Sequence, residues 1–173
     1  MTPAAAAGKL LANLGQKVSV AESSSGGVIA ARLLAVPGAS KFFEAGVVAY
    51  TSAAKRDILK IGAPMAKVCC RPAHLSSCTH ACVALQSATK QHAIELATAA
   101  RTTMGTDWGI GETGVAGPTP NSRGVVAGVS ALAVAGPDGA LATTMLFPSS
   151  ELSSDRDAYG KASYARLTSC LPF

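Results

Sequence analysis

Three places along this chain gather side chains able to do chemistry. The first is Glu22-Ser23-Ser24-Ser25-Gly26-Gly27, where three hydroxyls run into two glycines. Between a strand and a helix, such a run offers the unpaired N–H groups of the first helical turn to an anion. Glycines let a ligand approach the backbone, and a serine hydroxyl can act as a nucleophile. The same residue types also serve simply to cap a helix, and the local sequence leaves both uses open.

The second place is the pair Tyr50 and Lys55. Tyr50 falls near the end of a predicted strand and Lys55 in the first turn of the helix after it. The positive end of a helix dipole favours a neutral amine, and partial burial favours it further. A neutral lysine accepts a proton from serine in Ser–Lys nucleophilic catalysis. A solvated surface lysine is the plain alternative. The third place is Thr113-Gly114-Val115-Ala116-Gly117-Pro118, a loop placed after a strand, where open α/β sheets bind ligands. It also reads as a turn between sheet strands.

Other patterns carry less. Gly109-Ile110-Gly111-Glu112-Thr113-Gly114 matches the form G-x-G-x-x-G, but its glycines fall partly inside a predicted strand. Pro118 and Pro120 stand where the required helix would start, so no dinucleotide site is expected. His74, Cys78, His80 and Cys82 are zinc-ligand types at a spacing that fits no common structural zinc pattern. No metal and no cofactor is expected. A Ser–His–Asp site lacks a G-x-S-x-G elbow, and all three histidines lie in or beside this same segment.

These places must be held by a scaffold. Pro3 to Leu14 reads as a helix closed by Gly15, Lys17 to Glu22 as a strand, and Val28 to Val36 as a helix stopped by Pro37. Ala45 to Thr51 is a second strand, and Ser52 caps a helix from Ala53 to Ile61. Gly62 to Leu85 is irregular and holds four of the five cysteines. A long helix follows from Gln86 to Met104, with Gly105 beyond it, then a strand from Trp108 to Glu112 and a loop from Thr113 to Gly124. Val125 to Val134 and Ala140 to Phe147 form two strands joined by Gly136-Pro137-Asp138-Gly139. A last helix runs from about Asp155 to Leu171. Helices alternating with strands, then a hairpin, predict a three-layer α/β/α fold on a mixed, largely parallel sheet.

Composition agrees. The 173 residues suit one domain spanning 1–173, with an atypical insertion at about 62–88. Hydrophobic residues make up 49% and aromatics only 5%, so small side chains let helices lie close to the sheet. The net charge of +5 comes from scattered residues such as Lys9, Lys17, Arg32 and Lys41, with no basic run. That argues against a nucleic-acid partner and suits a small anionic ligand. No apolar run is long enough for a bilayer. An odd cysteine count without framework spacing points to a reducing compartment. The expectation is a cytoplasmic protein, or an organellar one whose transit peptide has been removed, with a homodimer as the default assembly.

Five ordered motifs resemble one family. Ala21-Glu22-Ser23-Ser24-Ser25-Gly26-Gly27 is similar to A-E-S-C-T-G-G. Val36-Pro37-Gly38-Ala39-Ser40 is similar to V-P-G-S/A-S, and the run from Phe43 through Tyr50 to Lys55 to F-E-x-G-x-V-x-Y-x-x-x-A-K. Thr113 to Pro118 matches T-G-x-A-G-P, and Ser154-Asp155-Arg156 resembles G-D-R. In this order they resemble the CinA C-terminal family, which includes nicotinamide mononucleotide deamidases. The resemblance implies an amidohydrolase that converts nicotinamide mononucleotide to nicotinate mononucleotide and ammonia. It assigns Ser23 as nucleophile, Lys55 as its base and Tyr50 as a hydrogen-bonding assistant. Ser24, Ser25, Gly26, Gly27, Thr113, Gly114 and Gly117 would line the substrate site, and Arg156 would hold its phosphate. The chain departs from the pattern at Ser24 and Ser25, at Gly62–Thr89, and in the loop after Pro118, where Arg123 stands near the usual basic residue. Those departures keep a second reading alive, a non-catalytic module that binds a nucleotide or phosphate. A partner in a DNA-linked complex, a third reading, rests only on the basic pI of about 9.1 and the family's name.

Overall fold

Thr2 and Gly15 bracket the first helix, α1 (Pro3–Leu14). The Thr2 hydroxyl accepts from the Ala5 N–H, and Gly15 closes the C-terminus in the left-handed conformation. The computed structural model describes residues 1–61, 88–122 and 124–146. After α1 come β1 (Val18–Glu22), α2 (Val28–Leu34), a 3-10 turn (Ala39–Lys41), β2 (Phe43–Val48) and α3 (Ser52–Leu59). Then follow α4 (Lys90–Met104), β3 (Trp108–Val115), β4 (Val129–Gly136) and β5 (Gly139–Leu146).

Among the described residues the strands form one sheet in the order β2-β1-β3-β4-β5. β1 pairs in parallel with β2 and with β3, whereas β3–β4 and β4–β5 are antiparallel. The sheet is mixed, as expected. Its parallel half is confined to three strands, because the hairpin after β3 turns the chain back twice. Helices cover both faces. Ala4 and Leu11 of α1 and Ile29 and Leu33 of α2 join Val18, Val20, Ile110 and Leu132 on one side. Leu59 of α3 and Leu96 and Ala100 of α4 meet Ala21 on the other, where Ala93 and Ala97 also meet Ala131, Ala133 and Ala135.

The small residues of α4 and β3 explain their close contact. A Cβ on Gly109 would stand 2.0 Å from the Ala97 carbonyl oxygen, and one on Gly111 would stand 2.2 Å from that of Ala93. Only glycine lets the helix backbone lie so directly on the strand. All three glycines of the G-x-G-x-x-G match therefore belong to a strand, in line with the rejection of a dinucleotide loop.

Several expected boundaries move for identifiable reasons. β2 starts at Phe43, where pairing with Val18 begins. Its end recedes to Val48 because Thr51, not Ser52, is the cap of α3, accepting from the Ala54 N–H. α3 stops at Leu59, with Lys60 left-handed at φ 59°. α4 begins at Lys90 because the Thr89 hydroxyl caps it. β3 runs on through Thr113, Gly114 and Val115, which pair with Ala131, Ser130 and Val129 of β4. β4 begins only at Val129, since Val125 is bonded within a turn to Asn121. The expected last helix and nearly all of the expected insertion lie outside the described residues. Among the described residues no helix is long and apolar enough to cross a membrane.

Candidate active site

The parallel arrangement of β2, β1 and β3 brings their carboxyl ends side by side. The order 2-1-3 also means that the chain leaves β1 for one neighbour and later returns to the other. That switch point is where open α/β sheets leave a crevice. Ser23 follows β1, Tyr50 and Lys55 follow β2, and Thr113 lies near the end of β3. Residues far apart in sequence thus share one end of the sheet.

The turn after β1 is built on two buried carboxylates. Gly26 and Gly27 take φ values of 68° and 99°, and Gly27 caps α2. This left-handed path folds the chain back so that Glu22, itself 1% exposed, reaches the start of α2. Its carboxylate accepts from the N–H groups of Gly27 (3.0 Å), Ile29 (3.1 Å) and Ala30 (2.8 Å), and from Ser25 Oγ (2.6 Å). The helix N-terminus read from sequence as open to an anion is occupied by the chain's own glutamate, which suits the dipole equally well.

The second carboxylate is Glu112 of β3, wholly buried. It accepts from the N–H groups of Ser23 (3.1 Å) and Ser25 (2.9 Å) and from Ser25 Oγ (2.8 Å). Ser24 Oγ donates to it at short range, and Ser130 Oγ lies 3.4 Å away. Ser25 Oγ carries one hydrogen and stands between the two glutamates, which share it. The hydroxyls of Ser24 and Ser25, expected to line the substrate site, are thus engaged inside the protein. Ser23 differs: its N–H is held by Glu112, and its Oγ makes no hydrogen bond among the described residues.

Lys55 sits in the first turns of α3 and is 5% exposed. Burial holds its amine below the ordinary lysine value of 10.5, and the negative charge of Glu112 acts in the opposite direction. Glu112 therefore connects the two candidates, binding the Ser23 backbone and acting on Lys55. Tyr50 is 54% exposed at the rim between β2 and α3. Thr113 is buried on the α4 side, its Oγ1 accepting from the Ala88 N–H at 3.3 Å. Gly114 is paired in the sheet, and Gly117 (φ 91°) opens the connection to β4. Arg156, Arg123 and the segment containing His74, Cys78, His80 and Cys82 lie outside the described residues.

A family model for the CinA C-terminal domain matches residues 2–68 and 75–171. The chain belongs to that family. A CinA-like protein of Parasynechococcus marenigrum is 39% identical over 138 residues, which are 80% of this chain and 29% of that protein. A CinA-like protein of Anaeromyxobacter sp. (strain K) is 41% identical over 129 residues, 75% of this chain and 28% of the relative. The chain spans under a third of the curated relatives it matches. Among solved structures, a CinA superfamily protein of Klebsiella pneumoniae superposes with a TM-score of 0.76 at 22% identity, covering 96% of this chain and 91% of that one. A competence or damage-inducible protein of Enterobacter asburiae gives a TM-score of 0.70 at 27% identity, with 96% and 94% covered. The CinA-type fold is therefore common to all of them.

Sequence reasoning missed the part played by the acids. The sequence by itself assigns no role to Glu22, Glu112 or Ser130. A signal was present in Glu112: an acid inside an otherwise apolar strand must find donors or a cation. Which donors it finds depends on Ser23 to Ser25, some 88 positions away, and no local pattern encodes that pairing.

Proposed function

We propose that this CinA-type domain is an amidohydrolase acting on nicotinamide mononucleotide through a Ser–Lys mechanism. The observation that carries the reading is Lys55, a buried amine depressed by desolvation, at the same sheet end as a serine whose backbone is fixed and whose hydroxyl makes no hydrogen bond among the described residues. Ser23 Oγ attacks the carboxamide carbon while Lys55 Nζ takes the hydroxyl proton. Collapse of the tetrahedral intermediate breaks the C–N bond, and Lys55 returns the proton to the departing ammonia. Water then hydrolyses the Ser23 ester, releasing nicotinate mononucleotide and restoring the serine.

Tyr50, on the exposed rim, would hydrogen-bond in this step, and Gly117, in the loop that follows β3, would line the nicotinamide side. Arg156 would take the phosphate, for which a forked guanidinium suits. The substrate is small and anionic, and the reaction as written needs no cofactor. The deciding experiment is ammonia release from nicotinamide mononucleotide by the purified protein beside its Ser23→Ala variant. Turnover lost in the variant supports the reading. A folded wild type that binds the nucleotide and releases no ammonia replaces it with the non-catalytic module.

A further inference from the structure

The mechanism above uses Ser23 and Lys55 and leaves one group at their junction without a role. Glu112 is the most heavily engaged side chain of the site, and it lies in the middle of a strand. Four donors from three consecutive residues converge on it: Ser23 N–H, Ser24 Oγ, Ser25 N–H and Ser25 Oγ. Ser130 Oγ approaches from β4. Burying a carboxylate is costly unless such donors surround it, and a purely structural strand position would take an apolar residue, as Ile110 does on the same face.

We propose that Glu112 is a positioning residue that sets both partners of the Ser–Lys pair, fixing the Ser23 backbone through the N–H groups of Ser23 and Ser25 and holding its negative charge against the Lys55 amine. This rests on the amidohydrolase reading of the same site. The two carboxylates divide the labour. Glu22 secures the start of α2 through Gly27, Ile29 and Ala30, whereas Glu112 secures the nucleophile's own residue. Ser25 Oγ locks one to the other.

The ionisable side chains on the elements around Lys55 are Glu22 at the end of β1, Glu44 on β2 with Tyr50 after it, Glu112 on β3, Arg56 and Asp57 on α3 itself with Lys60 at its end, and Lys90, His92, Glu95 and Arg101 on α4. Of these, Glu112 supplies the charge that raises Lys55, against the burial that lowers it. A base depressed by burial alone would be neutral but weak. The opposing carboxylate restores part of its basicity, which strengthens it as a proton acceptor. It also favours the ammonium formed once the proton has moved.

The test compares wild type, Glu112→Gln and Glu112→Asp by two readouts. The first is competitive acetylation of Lys55 Nζ by acetic anhydride against pH, followed by mass spectrometry, which reports the neutral amine without any turnover. The second is kcat for ammonia release from nicotinamide mononucleotide. In Glu112→Gln the Lys55 labelling midpoint moves to lower pH, because the charge that raised it is gone. In Glu112→Asp the midpoint stays near wild type while kcat falls about tenfold or more, since a shorter side chain cannot meet the same N–H groups. An unmoved midpoint in a folded Glu112→Gln protein, or an unchanged kcat in Glu112→Asp, overturns the proposal. If Glu112→Gln does not fold, Glu112→Asp alone decides through kcat. A wild type that releases no ammonia but still shows the labelling shift overturns the amidohydrolase reading and leaves the charge coupling standing.

Discussion

The turn after β1 and the connection from β3 to β4 both follow strands at the same end of the sheet, and both are rich in small residues. They are held in opposite ways. The first, Ser23 to Gly27, is bonded to carboxylates from two different strands, one of them 87 to 89 residues away in sequence. In the second, between Ala116 and Gly128, the hydrogen bonds seen among the described residues run mostly within the loop. Asn121 accepts from Val125 through its side chain and from Gly124 through its carbonyl, and its N–H donates to the Val125 carbonyl. Gly128 N–H ties its end back to Val115, at 2.7 Å. A turn clamped by buried charge keeps its geometry to the precision chemistry demands. A loop that organises itself can change without disturbing the sheet, which suits a wall that selects the substrate.

The sharpest way to test this contrast is at the clamped turn. Ser23→Ala should cut kcat by about 10⁴-fold or more while a thermal melt stays close to wild type, because no hydrogen bond of Ser23 Oγ is made among the described residues. Substantial residual turnover would mean that the clamped turn does not carry the nucleophile.

Next is Lys55. Only the neutral amine accepts a proton, so kcat/KM should rise with pH, about tenfold per unit, until the pH passes the Lys55 value, and then level off. That value lies below the ordinary 10.5 because burial penalises the ammonium. Lys55→Arg, charged throughout, should lose activity by about 10³-fold and show no such limb. A retained limb would assign the titration to another group.

Glu22→Gln separates anchoring from chemistry. It leaves three N–H groups and a hydroxyl facing an amide in place of a carboxylate. Urea unfolding should show a loss of about 2–4 kcal/mol. A loss under about 0.5 kcal/mol would show that the buried acid is not what fixes the turn. The smallest effect is expected in the other region. Asn121→Ala should cost under about 1 kcal/mol in the same unfolding experiment, with any kinetic change falling on KM. A large stability loss there would erase the distinction between the two regions.

Much of this was legible in the residues. The glycines that close α1 and α4, Gly15 and Gly105, the glycine at position 27, the turn from Gly136 to Gly139 and the ordered motifs from Ala21 to Pro118 give the elements, their succession and the family. Local rules suffice for them because capping, turn geometry and hydrophobic periodicity act over a few residues. β3 runs past the expected end at Glu112 because Gly114, Gly117 and Pro118 make the stretch from Thr113 look like a loop. Gly114 is instead paired with Ser130 of β4, a partner that no local pattern shows.

By itself the sequence determined the α/β class, the family, and the positions of Ser23, Tyr50 and Lys55. Tertiary structure alone decided that β1 lies between β2 and β3, that Glu22 fills the helix start a ligand was expected to use, and that Glu112 joins the serine turn to Lys55. The physical reason is range. A buried carboxylate is stable only where several donors meet it, and here those donors arrive from another strand and another turn, brought together by sheet pairing that no neighbouring residue specifies.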